Sequence, residues 1–353
     1  MFKNFLRVYL YVIVLIFFSA CGSKNIQEIK IVIPSPPNEP KVFFDISYSG
    51  DISFTKVSVL DAFIGERIAF TTKNLVKPYG VAAFGDSVYV TDTAVGAVFD
   101  IDEKLKKVSF IGDSSPGKLA LPVGIAVDDN GSIYVSDSKN ASILVYGKDK
   151  KLLRAFGGRL ELNKPTGISI NNKLKVLYAV DTKAHNIKAY SLDGKMLFTF
   201  GKRGKGAGEF NFPTNIAIDR RNDNIAVVDT QNFRVQVFDK NGKFIRKFGK
   251  IGDRPGMFAR PKGIGVDSDG NIYVADSAFN NVQVFNEKGE LLIFFGSAGK
   301  FIGQFSLIAG VYIDRYDRIY VVDGFNRRVQ IYQYMSERWK NDNPEKYKEI
   351  KGE

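Results

Sequence analysis

The chain has 353 residues, of which 44% are hydrophobic and 25% charged, and its formal net charge is +12. That apolar content predicts a globular protein with a large core and excludes a mainly disordered chain. With one cysteine and one histidine, Cys21 and His185, the chain has no intramolecular disulfide, and Ser-His-Asp, Cys-His and histidine–zinc sites are nearly excluded.

The first residues have the pattern of an export signal. Two cations precede an apolar run at 8–18, which is too short to span a bilayer comfortably. The small residues before Cys21 resemble the lipobox of bacterial lipoproteins, although Phe18 replaces the usual leucine. We therefore expect a signal peptide at 1–20, a lipid on Cys21 and a proline-rich tether over 21–40.

Six copies of one sequence unit follow the tether. They start near positions 78, 122, 165, 213, 261 and 308. Each unit has an aspartate at the end of its second apolar run: Asp92, Asp137, Asp181, Asp229, Asp276 and Asp323. Their spacing of 44 to 48 residues has the regularity of a repeat protein.

Each unit has the content of four short strands. In the fifth unit these are GIGVD, NIYVAD, VQVFN and LLIFFG, which are β-branched or aromatic and are separated by turn residues. Four strands per period predict one blade of a propeller. The expected fold is therefore all-β, a six-bladed β-propeller of four-stranded antiparallel blades over 41–334.

The sixth unit ends after its third strand, VQIYQY, so the outer strand of the last blade must come from elsewhere. The alternating segment VFFDISY at 42–48 is predicted to supply it and to join the two ends of the chain. A competing candidate is LDAFIG at 60–65.

The proline, glycine, hydrophobic-Asp and Phe-Gly landmarks of 78–334 resemble the NHL-repeat family of six-bladed propellers. DTQNFRVQVFDKNGKFIRKFG in the fourth unit is similar to the family consensus. With the lipobox and the tether, the chain resembles exported NHL lipoproteins of Gram-negative bacteria. This resemblance implies an envelope location, with the outer membrane preferred because Gly22 is not the aspartate that retains lipoproteins in the inner membrane.

The segment GKRGKGAGEFNFP at 201–213 has the glycines and cations of a phosphate-binding loop. However, a strand pattern follows it where a phosphate loop would lead into a helix. Its glycines and phenylalanine recur at the same offsets from 249 and from 296. We therefore expect it to connect the outer strand of one blade to the inner strand of the next.

Candidates for catalysis are few. His185 is expected to be a solvated loop residue, and the six repeated aspartates are expected to bond neighbouring backbone N–H groups in preference to calcium. No catalytic residue, metal or other cofactor is predicted. The alternative is an envelope hydrolase or lyase of the gluconolactonase or amidating-lyase type with a metal in the central channel, but glutamate is sparse on the inner strands.

The loops that follow the repeated aspartates differ between units and are expected to share one face with the glycine-rich linkers. Arginine beside exposed aromatic residues is typical of interfaces, so this face is the predicted partner site. Its candidates are Lys202, Arg203, Lys205, Phe233, Arg234, Phe279, Phe325, Arg327 and Arg328. For the phenylalanines, packing between blades is the alternative, and for Arg234 and Arg328 a structural ion pair; Arg327 is the preferred candidate.

The expected partner is a protein or an anionic component of the envelope, bound by a monomer that a lipid holds at the membrane. Nucleic acid is disfavoured because the chain carries an export signal. The charged tail, 335–353, is expected to be solvated or loosely docked, with a helix near Trp339.

Overall fold

The computed structural model describes residues 31–35, 38–54 and 73–352. The signal peptide, Cys21, most of the tether and the 60–65 segment lie outside these residues, so the expectations for them stay predictions. Within the described ranges, no helix has the length and apolar character needed to cross a membrane.

The described residues form 25 strands, two short α-helices and two 3₁₀ helices, Asp51–Ser53 and Thr230–Asn232. The strands before the first blade are β1 (Val32–Ile33) and β2 (Val42–Tyr48). Blade one contains β3 (Pro78–Phe84), β4 (Ser87–Asp92), β5 (Ala97–Asp102) and β6 (Lys107–Ile111). Blade two contains β7 (Pro122–Val127), β8 (Ile133–Asp137), β9 (Ser142–Tyr146) and β10 (Leu152–Gly157). Blade three contains β11 (Pro165–Asn171), β12 (Val176–Asp181), β13 (Asn186–Ser191) and β14 (Met196–Phe200).

Blade four contains β15 (Pro213–Asp219), β16 (Asn224–Asp229), β17 (Arg234–Phe238) and β18 (Phe244–Phe248). Blade five contains β19 (Pro261–Val266), β20 (Ile272–Asp276), β21 (Asn281–Phe285) and β22 (Leu291–Phe295). Blade six contains β23 (Ile308–Ile313), β24 (Arg318–Asp323) and β25 (Arg328–Tyr334), and the chain continues into α1 (Glu337–Asp342) and α2 (Pro344–Lys351).

The predicted propeller is confirmed. Each blade is an antiparallel meander, and the inner strands β3, β7, β11, β15, β19 and β23 follow one another in a closed ring around a central channel. The last blade is closed by β2, which pairs with β25 in a register that joins Val42 to Tyr334 and Tyr48 to Val329. The short strand β1 adds to the outer edge of β2.

The core lies between neighbouring blades, because one face of each sheet packs on the next sheet. It divides into six clusters of valine, isoleucine, tyrosine and phenylalanine side chains. The linkers contribute Phe210, Phe258 and Phe305, which are fully buried. The linker over 201–212 runs from β14 to β15, which confirms that it joins two blades.

Close packing of neighbouring inner strands requires the glycine of the repeated Pro-x-Gly motif. A Cβ atom on Gly124 would lie 2.2 Å from the carbonyl oxygen of Thr166 in the next blade, and one on Gly80 would lie 2.4 Å from that of Val123. Such distances are far inside van der Waals contact. The motif therefore lets the inner strands approach closely around the axis.

The C-terminal helices contact the closing strand, although neither helix has a buried residue. Ser336 caps α1 by accepting the Trp339 N–H, and the Trp339 ring lies 5.4 Å from the Phe43 ring. The Lys340 ammonium is 2.7 Å from Glu39. A helix is present at Trp339, as predicted, and both ends of the propeller are held together here.

Candidate binding face

The linkers and the loops after the second strands meet at one end of the propeller, called here the loop face. It comprises residues 73–77, 93–96, 112–121, 138–141, 158–164, 182–185, 201–212, 230–233, 249–260, 277–280, 296–307 and 324–327. Hydrogen bonds join the two kinds of segment, for example from the Asn232 side chain to the Gly204 carbonyl at 2.9 Å. The turns after first and third strands form the opposite end, the turn face.

The six repeated aspartates tie the loop face together. Asp92 accepts the N–H groups of Val76 and Lys77 at 2.7 and 2.8 Å and those of Ala94 and Val95 at 3.0 Å. The other five aspartates accept N–H groups from their own linkers in the same way. Each carboxylate therefore joins the end of a linker to the following loop, as the sequence predicted.

Arg234 and Arg328 hold linkers in place. The Arg234 guanidinium pairs with Asp229 at 2.8 Å and donates to the carbonyls of Lys205, Gly206 and Glu209. Arg328 pairs with Asp323 at 2.7 Å and donates to the Phe301 and Gln304 carbonyls. Their side chains are only 7% and 11% exposed, so the structure favours the ion-pair alternative over partner contact.

Glutamines of the third strands also clamp the linkers, and the sequence analysis missed them. Gln236 accepts the Gly208 N–H at 3.0 Å and donates to the Glu209 carbonyl at 2.7 Å. Gln283 and Gln330 occupy the equivalent positions. The repeated Val-Gln pair in the last three units was the signal that marked them.

Several predicted partner residues do lie on the surface. Arg327, Arg203 and Lys205 are exposed, and Phe325 is 64% exposed. Lys202 is exposed too, with its ammonium 3.4 Å from Glu209. The accessible residues of the predicted set are therefore four cations and one phenylalanine.

The other two predicted phenylalanines are less accessible. Phe233 is half-buried and packs against the cluster between blades four and five. Phe279 is half-buried as well. Phe233 therefore packs between blades, which is the alternative that the sequence left open.

Arg327 adopts a left-handed backbone conformation, with φ of 57°. The last residue of the corresponding loop does the same in every blade: Gly96, Ala141, His185, Phe233, Asn280 and Arg327. The backbone is thus repeated while the side chain changes. Residues other than glycine and asparagine are strained in this conformation. The turn therefore gives no reason for an arginine at position 327.

The structure places His185 differently from the prediction. It is 7% exposed, its Nδ1 accepts the Phe212 N–H at 3.1 Å, and its ring lies 4.5 Å from the Phe212 ring. The expectation of a solvated residue was wrong because the adjoining linker covers this loop. His185 is occupied in holding that linker.

Charge is distributed unequally between the two faces. Apart from the six repeated aspartates, which are buried, the anions of the loop face are Asp113, Glu161, Glu209 and Asp253. Its cations are Lys73, Lys77, Lys118, Lys139, Arg159, Lys164, Lys183, Lys202, Arg203, Lys205, Lys250, Arg254, Arg260, Lys300 and Arg327. The turns of the opposite face carry anions and cations in equal number. The protein's positive charge is therefore concentrated on the loop face, where it raises the local concentration of anions.

Exposed apolar side chains accompany these cations. Phe301, Ile251 and Phe325 are 79%, 66% and 64% exposed, and Leu307 and Phe212 are 51% and 41% exposed. Exposed apolar groups beside cations are typical of protein interfaces.

The turn face contains a cavity of about 380 Å³ at its end of the channel, which the sequence analysis did not predict. Arg220 lies across it and donates to the Ile313 carbonyl, two blades away. The carboxylates of Asp128 and Asp314 accept nearby N–H groups, and Asp223 accepts from Lys173. These anions are therefore engaged by the chain's own donors.

Comparison with known families agrees with this architecture. Residues 159–235 and 222–277 match a family model described as a 6-bladed beta-propeller, and 119–146 match the NHL repeat. The chain is a six-bladed β-propeller. A comparison with curated proteins finds no sequence match for it.

Solved structures resemble this propeller in fold. A gluconolactonase from Xanthomonas campestris has 16% identity and a TM-score of 0.59, over 74% of this chain and 86% of that one. A virginiamycin B lyase from Staphylococcus aureus has 15% identity and a TM-score of 0.54, over 73% and 94%. An auxiliary nutrient binding protein from Bacteroides thetaiotaomicron has 13% identity and a TM-score of 0.57, over 74% and 69%. At such identities the likeness concerns the fold and not the activity.

Proposed function

We propose that this propeller is a non-catalytic binding protein whose loop face holds an anionic partner, either a protein or another component of the cell envelope. The observation that carries the proposal is the concentration of exposed cations and apolar rings on that face, opposite a face of balanced charge. Complementary charge speeds encounter with an anionic partner, and apolar contacts then retain it.

The chemistry of the described residues supports binding over catalysis. A histidine-to-alanine variant of the virginiamycin B lyase is catalytically inactive. The one histidine of this chain, His185, is buried and bonded to a linker N–H. Within the described ranges, no three His, Cys, Asp or Glu side chains are grouped to hold a metal ion.

We also propose that a lipid on Cys21 holds the propeller at the envelope, on the outer membrane. The support is the lipobox-like sequence before Cys21 and the proline-rich segment after it. Metabolic labelling with a palmitate analogue should mark the wild-type chain and leave Cys21→Ser unlabelled and released from membranes. Equal labelling of both chains would contradict the anchor.

The partner site is tested by photocrosslinking in intact cells from a photoreactive phenylalanine at position 325. The double variant Arg203→Glu/Arg327→Glu should remove the crosslinked species, because it reverses two exposed cations of the loop face, of which Arg327 is two residues from the probe. The matched control Lys195→Glu/Lys243→Glu reverses two exposed cations of the turn face and should leave the species unchanged.

The outcome separates binding from folding. Arg327→Gly should also remove or weaken the crosslink while leaving the fold intact, because glycine adopts the left-handed backbone at no cost. If both loop-face variants give the same crosslinked species as the turn-face control, the loop face is not the site. Mass spectrometry of the species identifies the partner.

A further inference from the structure

The inner strands begin at the loop-face end of the channel, where their second residues follow one another in a ring. These residues are Tyr79, Val123, Thr166, Thr214, Lys262 and Ala309, of which Tyr79 and Val123 line the channel cavity. Lys262 is the charged member of this ring and is half-buried. Among the residues that the structure describes, none forms a hydrogen bond or ion pair with its ammonium group.

Lys262 also lies among like charges. Burial lowers the pKa of its ammonium, and the cations Arg260 and Lys77 lower it further. Arg260 is two residues before Lys262, whereas Lys77 comes from blade one, on the other side of blade six. The cations of Arg260 and Lys77 thus lie close enough to the Lys262 ammonium to repel it. A half-buried cation of this kind is costly unless a ligand supplies the opposite charge.

The rim of the mouth alternates in character. The residues that directly precede the six inner strands are Lys77, Leu121, Lys164, Phe212, Arg260 and Leu307. Cations and apolar side chains therefore take turns around the axis, with Phe212 and Leu307 41% and 51% exposed. A ligand that fits this rim has carboxylates and apolar groups at short spacing.

We propose that the mouth of the channel on the loop face is an anion pocket, in which the Lys262 ammonium, flanked by Arg260 and Lys77, binds the carboxylate of an acidic side chain of a protein partner. The proposal rests on the proposed function, because it names the group that the loop face recognises. A glutamate or aspartate in an apolar segment reaches into the mouth, and its neighbours contact the rim.

A lipid surface fits the mouth less well. Lys262 lies on an inner strand, and the linkers around it extend the loop face beyond the ends of these strands. A flat layer of headgroups would meet Arg203, Lys205 and Lys300 on the linkers before it met Lys262. A protruding side chain has access to the half-buried ammonium, which favours a protein partner over a membrane.

The first test measures binding of two synthetic peptides to the full chain by fluorescence anisotropy. One peptide alternates glutamate with leucine and the other replaces every glutamate by glutamine. The acidic peptide should bind and the amide peptide should bind at least tenfold more weakly. Lys262→Met should lower affinity for the acidic peptide at least tenfold, Lys262→Arg should retain most of it, and the control Lys243→Met should not change it.

Stability separates loss of binding from loss of fold. Without ligand, Lys262→Met should melt at a higher temperature than wild type, because it removes an unpartnered cation from a crowded site. A lowered melting temperature together with unchanged peptide binding would overturn the proposal. NMR of reductively ¹³C-methylated protein should show the Lys262 pKa rising when the acidic peptide is added, and an unchanged pKa would contradict the contact.

Two further outcomes distinguish this proposal from the proposed function. If Arg203→Glu/Arg327→Glu removes the crosslinked species in cells but Lys262→Met leaves both that species and peptide binding unchanged, the anion pocket is wrong and the loop-face function stands. If Lys262→Met weakens binding to phosphatidylglycerol vesicles but not to the acidic peptide, the ligand is a lipid and the proposal fails.

Discussion

The Arg234 guanidinium and the Asp229 carboxylate form a buried ion pair, with Nε 2.8 Å from Oδ2. The guanidinium also donates to three linker carbonyls. Arg234→Ala leaves Asp229 and these carbonyls short of donors, so we expect it to destabilise the fold by about 3–5 kcal/mol. Urea unfolding followed by circular dichroism measures the change.

The matched control for that change is Arg327→Ala, on the same face and two blades away. Arg327 is exposed and has a free surface position, so its loss should alter the unfolding free energy by about 0.5 kcal/mol or less. Similar losses for the two variants would show that Arg234 is not a structural clamp.

The closing strand is held by the C-terminal helices, so Trp339→Ala should loosen the ring. The Trp339 ring packs on Phe43 at 5.4 Å. We expect a loss of about 1–2 kcal/mol, from the aromatic pair and its buried area. Limited proteolysis should then cut near β2 sooner than in wild type. Leu105→Ala, at an exposed turn, is the control and should not change the cutting rate.

The contact between the C-terminal helices and the residues before β2 should weaken in acid. Lys340, Lys41 and Tyr347 hold the pKa of Glu39 down to about 2 in the folded protein. Because this pKa lies below its unfolded value, the stabilisation is present above pH of about 4.5 and is lost as the pH falls toward 2. Glu39→Gln should therefore be less stable than wild type at pH 6 and should converge with it near pH 2 in thermal denaturation. A constant difference across this range would contradict the ion pair.

Asp267 should give the opposite pH dependence. Burial raises the pKa of its carboxyl to about 6, although it accepts bonds from Asn271 and Tyr273. The folded state then holds this proton more tightly than the unfolded chain, so its contribution to stability falls as pH rises from about 4 to 6. The fall should amount to about 2–3 kcal/mol. Asp267→Asn should lack it, as urea unfolding at a series of pH values would show.

Gly124→Ala tests the close approach of the inner strands. The new Cβ would lie 2.2 Å from the Thr166 carbonyl oxygen, so blades two and three must separate. Overpacking of this kind costs about 1–3 kcal/mol. Gly85→Asn is the control, since no atom lies within 4 Å of a Cβ there and asparagine tolerates its φ of 60°. A loss of stability for Gly85→Asn as large as that for Gly124→Ala would attribute the effect to backbone strain and not to separation of the inner strands.

The sequence left 42–48 and 60–65 as alternatives for closing the last blade, but it determined the number of blades and the strands within each blade. These follow from alternation of apolar residues and from turn chemistry, which act between residues close in the chain and recur with every unit. The structural role of the six aspartates was predictable for the same reason, because Asp92 and its equivalents bond N–H groups of the same unit.

Only the tertiary structure decided which side chains remain free. Arg234 directly follows one loop and Arg327 ends the equivalent loop two blades on, yet Arg234 is buried beneath a linker and Arg327 is exposed. A linker also covers His185. Lys77 and Lys262 are 185 positions apart and meet only because the ring closes. Burial and electrostatic convergence depend on distances between blades, which the local pattern of a single repeat does not contain.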